Sequence, residues 1–195
     1  MVLRILKAEA AQGELVDVGC GRGDLFGRLP PAISSYTGID LVRYEGFPES
    51  PRARLRVGDL NQRLPVEDAT ADVVVSIETI EHLENPRALL RELIRVVRPG
   101  GLVLVTTPNQ LSVLSKLSFV VKDRHVAFQA VHYPAHITAL LPSDLMDIGA
   151  ELKLERTRMV YSDDGRIPGT ARHWPPGFKG RLFSDNVAYV ARRPG

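Results

Sequence analysis

Short apolar runs and longer apolar stripes of helical period alternate along the chain, and that alternation predicts its elements. Val2, Leu3, Ile5, Leu6 and Ala10 predict a short amphipathic helix over residues 2–12, ended by Gly13. Glu14–Gly19 reads as a first strand, and Asp24–Leu29 as a helix stopped by Pro30-Pro31. Ser35–Asp40 and Ala53–Val57 read as the second and third strands. Ala71–Ile77 is continuous enough in β-branched residues to be a strand buried on both faces. Asn85 and Pro86 open a helix as N-cap and first residue. Leu89, Leu90, Leu93, Ile94 and Val97 form its stripe, and Arg98-Pro-Gly-Gly101 ends it. Leu102–Thr107 is a fifth strand. Residues 111–121 read as a helix with Leu111, Leu114, Leu117 and Phe119 apolar, whereas residues 122–136 show no period. Pro142–Gly149 reads as a short helix and Glu151–Tyr161 as an alternating strand. A loop rich in Gly, Pro and Asp spans 162–179, and Asn186–Arg192 is the final strand.

Strands alternating with helices predict an α/β fold, an open and mostly parallel sheet. The last two strands lack an intervening helix and read as an antiparallel hairpin at one edge. The 195 residues are expected to form one domain, 1–195, without disulfides, since Cys20 is alone. No apolar run is long enough to span a membrane. The start, Met-Val-Leu-Arg-Ile-Leu-Lys, is too short and too soon charged for a signal peptide, so a cytoplasmic location and no membrane partner are expected. A net charge of +2 does not argue for nucleic acid.

In open α/β sheets ligands sit at the carboxyl ends of the strands. There the chain places Asp17 to Gly23, Asp40, Asp59, Glu78 and Asn109. Val16-Asp-Val-Gly-Cys-Gly-Arg-Gly23 is a strand running into a glycine-rich turn. Such a turn lets a ligand approach the backbone, and is expected to aim N–H groups and a helix dipole at it. The pattern lacks the third glycine of a dinucleotide site, and a carboxylate inside the strand suits a cationic cofactor with an amino-acid end. S-adenosylmethionine (SAM) has an ammonium and carboxylate for the turn, ribose hydroxyls for Asp40 and an adenine for Asp59-Leu60.

From about Gly13 to Arg192 the chain resembles class I SAM-dependent methyltransferases. The matching pieces are the glycine turn, Gly38-Ile-Asp-Leu41, Gly58-Asp-Leu60, Asp72 to Pro86 with its Glu-Thr-Ile-Glu-His-Leu core, and Leu93 to Asn109 with Arg-Pro-Gly-Gly and Thr-Pro-Asn. The resemblance implies a Rossmann-like, seven-stranded sheet with helices on both faces and an antiparallel C-terminal hairpin. It implies a SAM site built from Asp17, Gly19, Cys20, Gly21, Asp40, Leu41, Asp59, Leu60 and Glu78, with Glu78 near the sulfonium methyl.

Methyl transfer from a sulfonium is an in-line displacement, so the protein aligns the acceptor and, for a hydroxyl, removes its proton. Glu78, His82 and His136 are the candidate catalytic residues, with Glu81 and His132 nearby. Histidine titrates nearest neutrality, and His82 follows the fourth strand on the acceptor side. On one helical face, Glu78, Glu81 and His82 would offer metal ligands, a pattern shared with methyltransferases that act on the terminal ribose of small RNAs. The His-rich segment of those enzymes is absent, and no metal ligand is assigned. The expected acceptor is a small molecule bearing O, N or C, in a pocket formed by residues 108–136 and 162–180 or completed by a second subunit as a homodimer. A metal-assisted RNA 2′-O-methyltransferase, a SAM-binding protein without transferase activity and a nicotinamide oxidoreductase are the alternatives.

Overall fold

The computed structural model describes residues 1–195. Its helices are α1 (Val2–Ala8), α2 (Pro86–Val96), α3 (Val113–Lys122) and α4 (Pro142–Glu151). Its strands are β1 (Gly13–Val18), β2 (Ile33–Asp40), β3 (Ala53–Val57), β4 (Ala71–Ile77), β5 (Val97–Pro108), β6 (Glu155–Tyr161) and β7 (Asn186–Arg192). They form one seven-stranded sheet in the order β3-β2-β1-β4-β5-β7-β6. The first five strands pair in parallel, and β7 runs antiparallel to both β5 and β6.

The central strands are apolar on both faces because both faces are covered. Val16, Val74, Val103 and Val105 point to one side, where Leu89, Leu90, Leu93 and Val96 of α2 and Leu145 of α4 pack on them. Their neighbours Leu15, Val73, Val75, Leu102 and Leu104 point to the other, beneath Ile5 and Leu6 of α1. This is the period of two expected of strands between helical layers. Asn85 caps α2 as its sequence suggests, its side chain accepting the Ala88 N–H at 2.9 Å.

Three expectations need correction. The segment 24–29 is not an α-helix but a single 3-10 turn, Phe26–Arg28, with the Phe26 ring tilted against that of Tyr36. Arg98-Pro-Gly-Gly101 does not separate α2 from a strand. It already belongs to β5, whose pairing with β4 begins at Val97 opposite Ala71. Glu151 closes α4, so β6 starts only at Glu155. A further 3-10 turn, Ile80–His82, follows β4, where no regular element was anticipated.

Candidate active site

The carboxyl ends of β1, β2 and β4 surround a cavity of about 430 Å³. Gly19 and Gly21, Asp40 and Leu41, Asp59 and Leu60, and Glu78 and His82 line it. These are residues that the sequence singled out from separate segments, and the fold brings them to one space. Tyr44, Asn61, Thr79 and Leu83 complete the lining. Reasoning from motifs passed over them, although Leu83 belongs to the same Glu-His-Leu run as His82.

Two residues of the expected cofactor site do not line this cavity, nor does His136. Asp17 lies behind the turn, 2% exposed, and its Oδ2 accepts the Tyr36 hydroxyl at 2.8 Å. Its Oδ1 is buried without a partner. Burial pushes the carboxyl up to about 7, the Tyr36 hydrogen bond opposes the shift, and the Asp40 charge adds to it. Cys20 is buried too, so close to Gly38 that a Cβ there would run into its sulfur. Burial pushes this thiol up to about 12, which makes it a packing residue rather than a nucleophile.

The turn is shaped differently from an anion cradle. The N–H groups of Gly19 and Cys20 both point to the Ile39 carbonyl, at 2.8 and 3.1 Å, and that of Gly21 to Asp40 Oδ2 at 2.8 Å. With these donors engaged, and only a 3-10 turn following, the expected dipole-assisted binding of an anion is not what the turn provides. Its glycines serve close approach instead. Gly19 has φ +81° and faces Thr79, whose side chain a Cβ would strike; Gly21 has φ +54° and opens on free space.

The Asp40 carboxylate accepts two backbone hydrogen bonds. Its Oδ2 takes the Gly21 N–H, and its Oδ1 takes the Leu41 N–H at 2.7 Å. Each oxygen keeps a lone pair for a ligand hydroxyl. Asp59 accepts the Asn61 N–H at 2.9 Å, and Asn61 Oδ1 in turn accepts the Glu84 N–H at 3.0 Å, which ties the loop after β3 to the loop after β4.

Glu78 has φ +49°, a strained backbone for a side chain of this size. Thr106 at the end of β5 holds it there: the Thr106 Oγ1 hydroxyl donates to Glu78 Oε1 at 2.7 Å. Burial, then the nearby Glu81 charge, pushes the Glu78 carboxyl up to about 7. Glu78 and Thr106 also line a second cavity of about 460 Å³, with Val2, Leu3, Asp24, Arg28 and Asn186. The space beside Glu78 therefore opens toward α1 and the 24–28 turn, not toward residues 162–180. In that loop, Trp174 stacks on Phe178 at 5.3 Å and meets Phe183 edge-on at 5.1 Å, which pins the loop on itself.

Residues 126–136 do reach the site. The Glu81 carbonyl accepts the N–H groups of Ile137 and Thr138 at 3.0 and 3.1 Å, and this seats His136 beside His82 with ring centroids 4.6 Å apart. His82 Nδ1 lies 2.8 Å from the Ala135 carbonyl, and His136 Nδ1 lies 2.6 Å from that of Ala127. A carbonyl only accepts, so each Nδ1 carries the proton and each Nε2 is left with a lone pair. Glu81 is 1% exposed, takes one hydrogen bond from Thr107 at 3.2 Å and has no cation beside it; burial pushes its carboxyl up to about 7. Ligand atoms of Glu81, His82 and His136 all lie within 4.8 Å of one another, a donor set of one carboxylate and two imidazoles that fits a divalent cation.

Comparison with known proteins now places the chain. A family model described as "Methyltransferase domain" matches residues 1–148. A probable S-adenosylmethionine-dependent methyltransferase of Mycolicibacterium smegmatis is 33% identical over 121 residues, 57% of this chain and 44% of that protein. A ubiquinone biosynthesis O-methyltransferase of Xanthomonas oryzae is 27% identical over 164 residues, 76% of this chain and 66% of that protein. The chain thus spans less than half the length of the Mycolicibacterium relative. Among solved structures, a SAM-dependent methyltransferase from Archaeoglobus fulgidus superimposes with a TM-score of 0.68 at 18% identity, covering 98% of this chain and 92% of that one. Another, described as a SAM-dependent methyltransferase and possible histamine N-methyltransferase from Thermotoga maritima, gives 0.71 at 19% identity, covering 98% and 86%. These structures share the fold, the family match covers the strands that carry the cavity, and the chain belongs to the family of SAM-dependent methyltransferase domains.

Proposed function

We propose that the chain moves the methyl group of SAM to an oxygen of a small-molecule acceptor across Glu78. The observation that carries this reading is that Glu78 lines both cavities, one bordered by the glycine turn and the other by α1. A cofactor whose ribose meets Asp40 and whose adenine lies between Asp59 and Leu60 has its sulfur toward Glu78. The lone pairs that Asp40 keeps on both oxygens suit the ribose hydroxyls of that cofactor. An acceptor on the far side of Glu78 then meets the methyl in line. Glu78, which lines both cavities, and His82, which shares the cofactor cavity with it, are the bases nearest the methyl, and a base is most useful to an acceptor hydroxyl. The Xanthomonas relative, an O-methyltransferase of ubiquinone biosynthesis, supports an oxygen acceptor.

The three-residue cluster favours a second, metal-assisted form of the same reaction, which sequence alone did not assign. Glu81, His82 and His136 would hold a divalent cation, which would supply charge that lowers the pKa of an acceptor hydroxyl entering on the His82 side of Glu78. Turnover of SAM to S-adenosylhomocysteine, measured over panels of phenols, catechols, amines and carbon acids, tests the assignment. Oxygen acceptors alone should turn over; amines or carbon acids turning over in their place would remove it. Manganese titrated into the protein and into Glu81→Gln separates the two forms. Binding that the variant loses supports the metal, and equal binding leaves Glu78 and His82 as bases.

A further inference from the structure

Helix α3 is inside out. Its inward side is polar: Ser115 is 3% exposed and bonds Gln110 at 3.3 Å and His125 at 3.0 Å. Ser118 donates to the Arg124 carbonyl at 2.7 Å and receives the Gln129 amide at 3.1 Å. Its outward side is apolar. Leu117, Val120 and Val121 share one face by helical spacing and are 48%, 78% and 76% exposed. Further along the same segment, Val131 is 82% exposed and Tyr133 72%. A helix in water normally shows the reverse pattern, and contiguous exposed apolar side chains of this kind mark a surface that is covered in use.

The charges around the patch say what covers it. Between Gln110 and Thr138 the chain has one acid, Asp123, against Lys116, Lys122 and Arg124. All three cations are exposed, and none makes an ion pair within the chain. An apolar ridge bordered by unpaired cations matches the acyl boundary and the phosphates of an anionic lipid surface. No helix is long and apolar enough to cross a membrane, so contact would be with one leaflet only.

We infer that α3 and residues 123–133 dock on an anionic phospholipid surface, with Leu117, Val120 and Val121 set among the headgroups. The segment continues directly into His136, whose ring packs on that of His82 in the lining of the first cavity.

Co-sedimentation with vesicles tests this, using phosphatidylcholine alone or mixed with phosphatidylglycerol. The protein should bind the mixed vesicles about tenfold or more tightly than the neutral ones, and the preference should fade with salt. Val120→Asp with Val121→Asp should abolish most of the binding, and Lys122→Glu with Arg124→Glu should remove the preference for phosphatidylglycerol. SAM affinity, unchanged in all of them, reports that they are folded. Equal binding by the Val120→Asp, Val121→Asp variant, or none by the parent protein, overturns the inference. So does a dimer in light scattering that this variant breaks, since the patch would then belong to a second copy.

Discussion

Asp40 Oδ2 accepts the backbone N–H of Gly21 at 2.8 Å. With the Gly19 and Cys20 N–H groups on the Ile39 carbonyl, that bond ties the end of β2 to the glycine turn after β1. One carboxylate thereby helps hold the shape of the turn and lines the cavity where the proposed ribose would lie.

Replacing Asp40 by Ala should therefore cost more than a ribose contact. We expect SAM binding to weaken by about 1–3 kcal/mol from the lost charged hydrogen bonds, and by more where the turn loosens. Isothermal titration with SAM and with S-adenosylhomocysteine measures it. Asp40→Asn, which keeps one acceptor oxygen for Gly21, should fall between the parent and Asp40→Ala. An affinity unchanged in Asp40→Ala would remove Asp40 from the cofactor site.

Asp17 makes stability depend on pH. Its folded carboxyl is raised from 3.8 to about 7, so across that window the folded chain holds a proton that the unfolded chain has lost. Its contribution to stability therefore falls as pH rises from about 4 to about 7, and levels above that. Asp17→Asn cannot ionise. Its melting temperature should gain on that of the parent from about pH 5 to about pH 8, by roughly 2–4 °C for each kcal/mol. Parallel curves across that range would contradict the shift.

His82→Ala should reduce kcat by about 100-fold or more, the usual loss on removing an acid–base group. SAM affinity should stay within about twofold. The Nδ1 contact with Ala135 makes the residue a brace as well, so KM for the acceptor is expected to rise too. A normal kcat moves the role to Glu78 or His136.

Tyr189 offers a test of the core. Its ring is fully buried under α4, and its hydroxyl has no hydrogen-bond partner. Tyr189→Phe removes that unsatisfied group with little change of shape, and should raise stability by about 1 kcal/mol in urea denaturation. Gly149 faces the same hydroxyl so closely that a Cβ would collide with it, so Gly149→Ala should destabilise. A destabilised Tyr189→Phe would point to a partner such as a bound water.

Much of the fold was legible because strand signals here are local. Ala71–Ile77 is a run of β-branched residues with one possible environment, the sheet centre, and Asn85-Pro86 marks its helix start by capping chemistry alone. The segment 24–29 misled because four apolar or glycine positions suit a turn packed on Tyr36 as well as a helix. Apolar period located α3 but carries no information about which side faces the protein, and its outward stripe needed the fold to be seen. Most residues of the cavity that we propose for the cofactor were legible, since they end successive strands. The pairing of His82 with His136 was not. It depends on Glu81 presenting its carbonyl to Ile137 and Thr138, a contact between loops far apart in sequence.

The most direct test of the account is a crystal structure with S-adenosylhomocysteine bound. The ribose should lie within hydrogen-bond reach of Asp40, the adenine between Asp59 and Leu60, and the sulfur beside Glu78, facing the cavity under α1. A ligand lying outside this cavity, or with its sulfur turned away from Glu78, would contradict it.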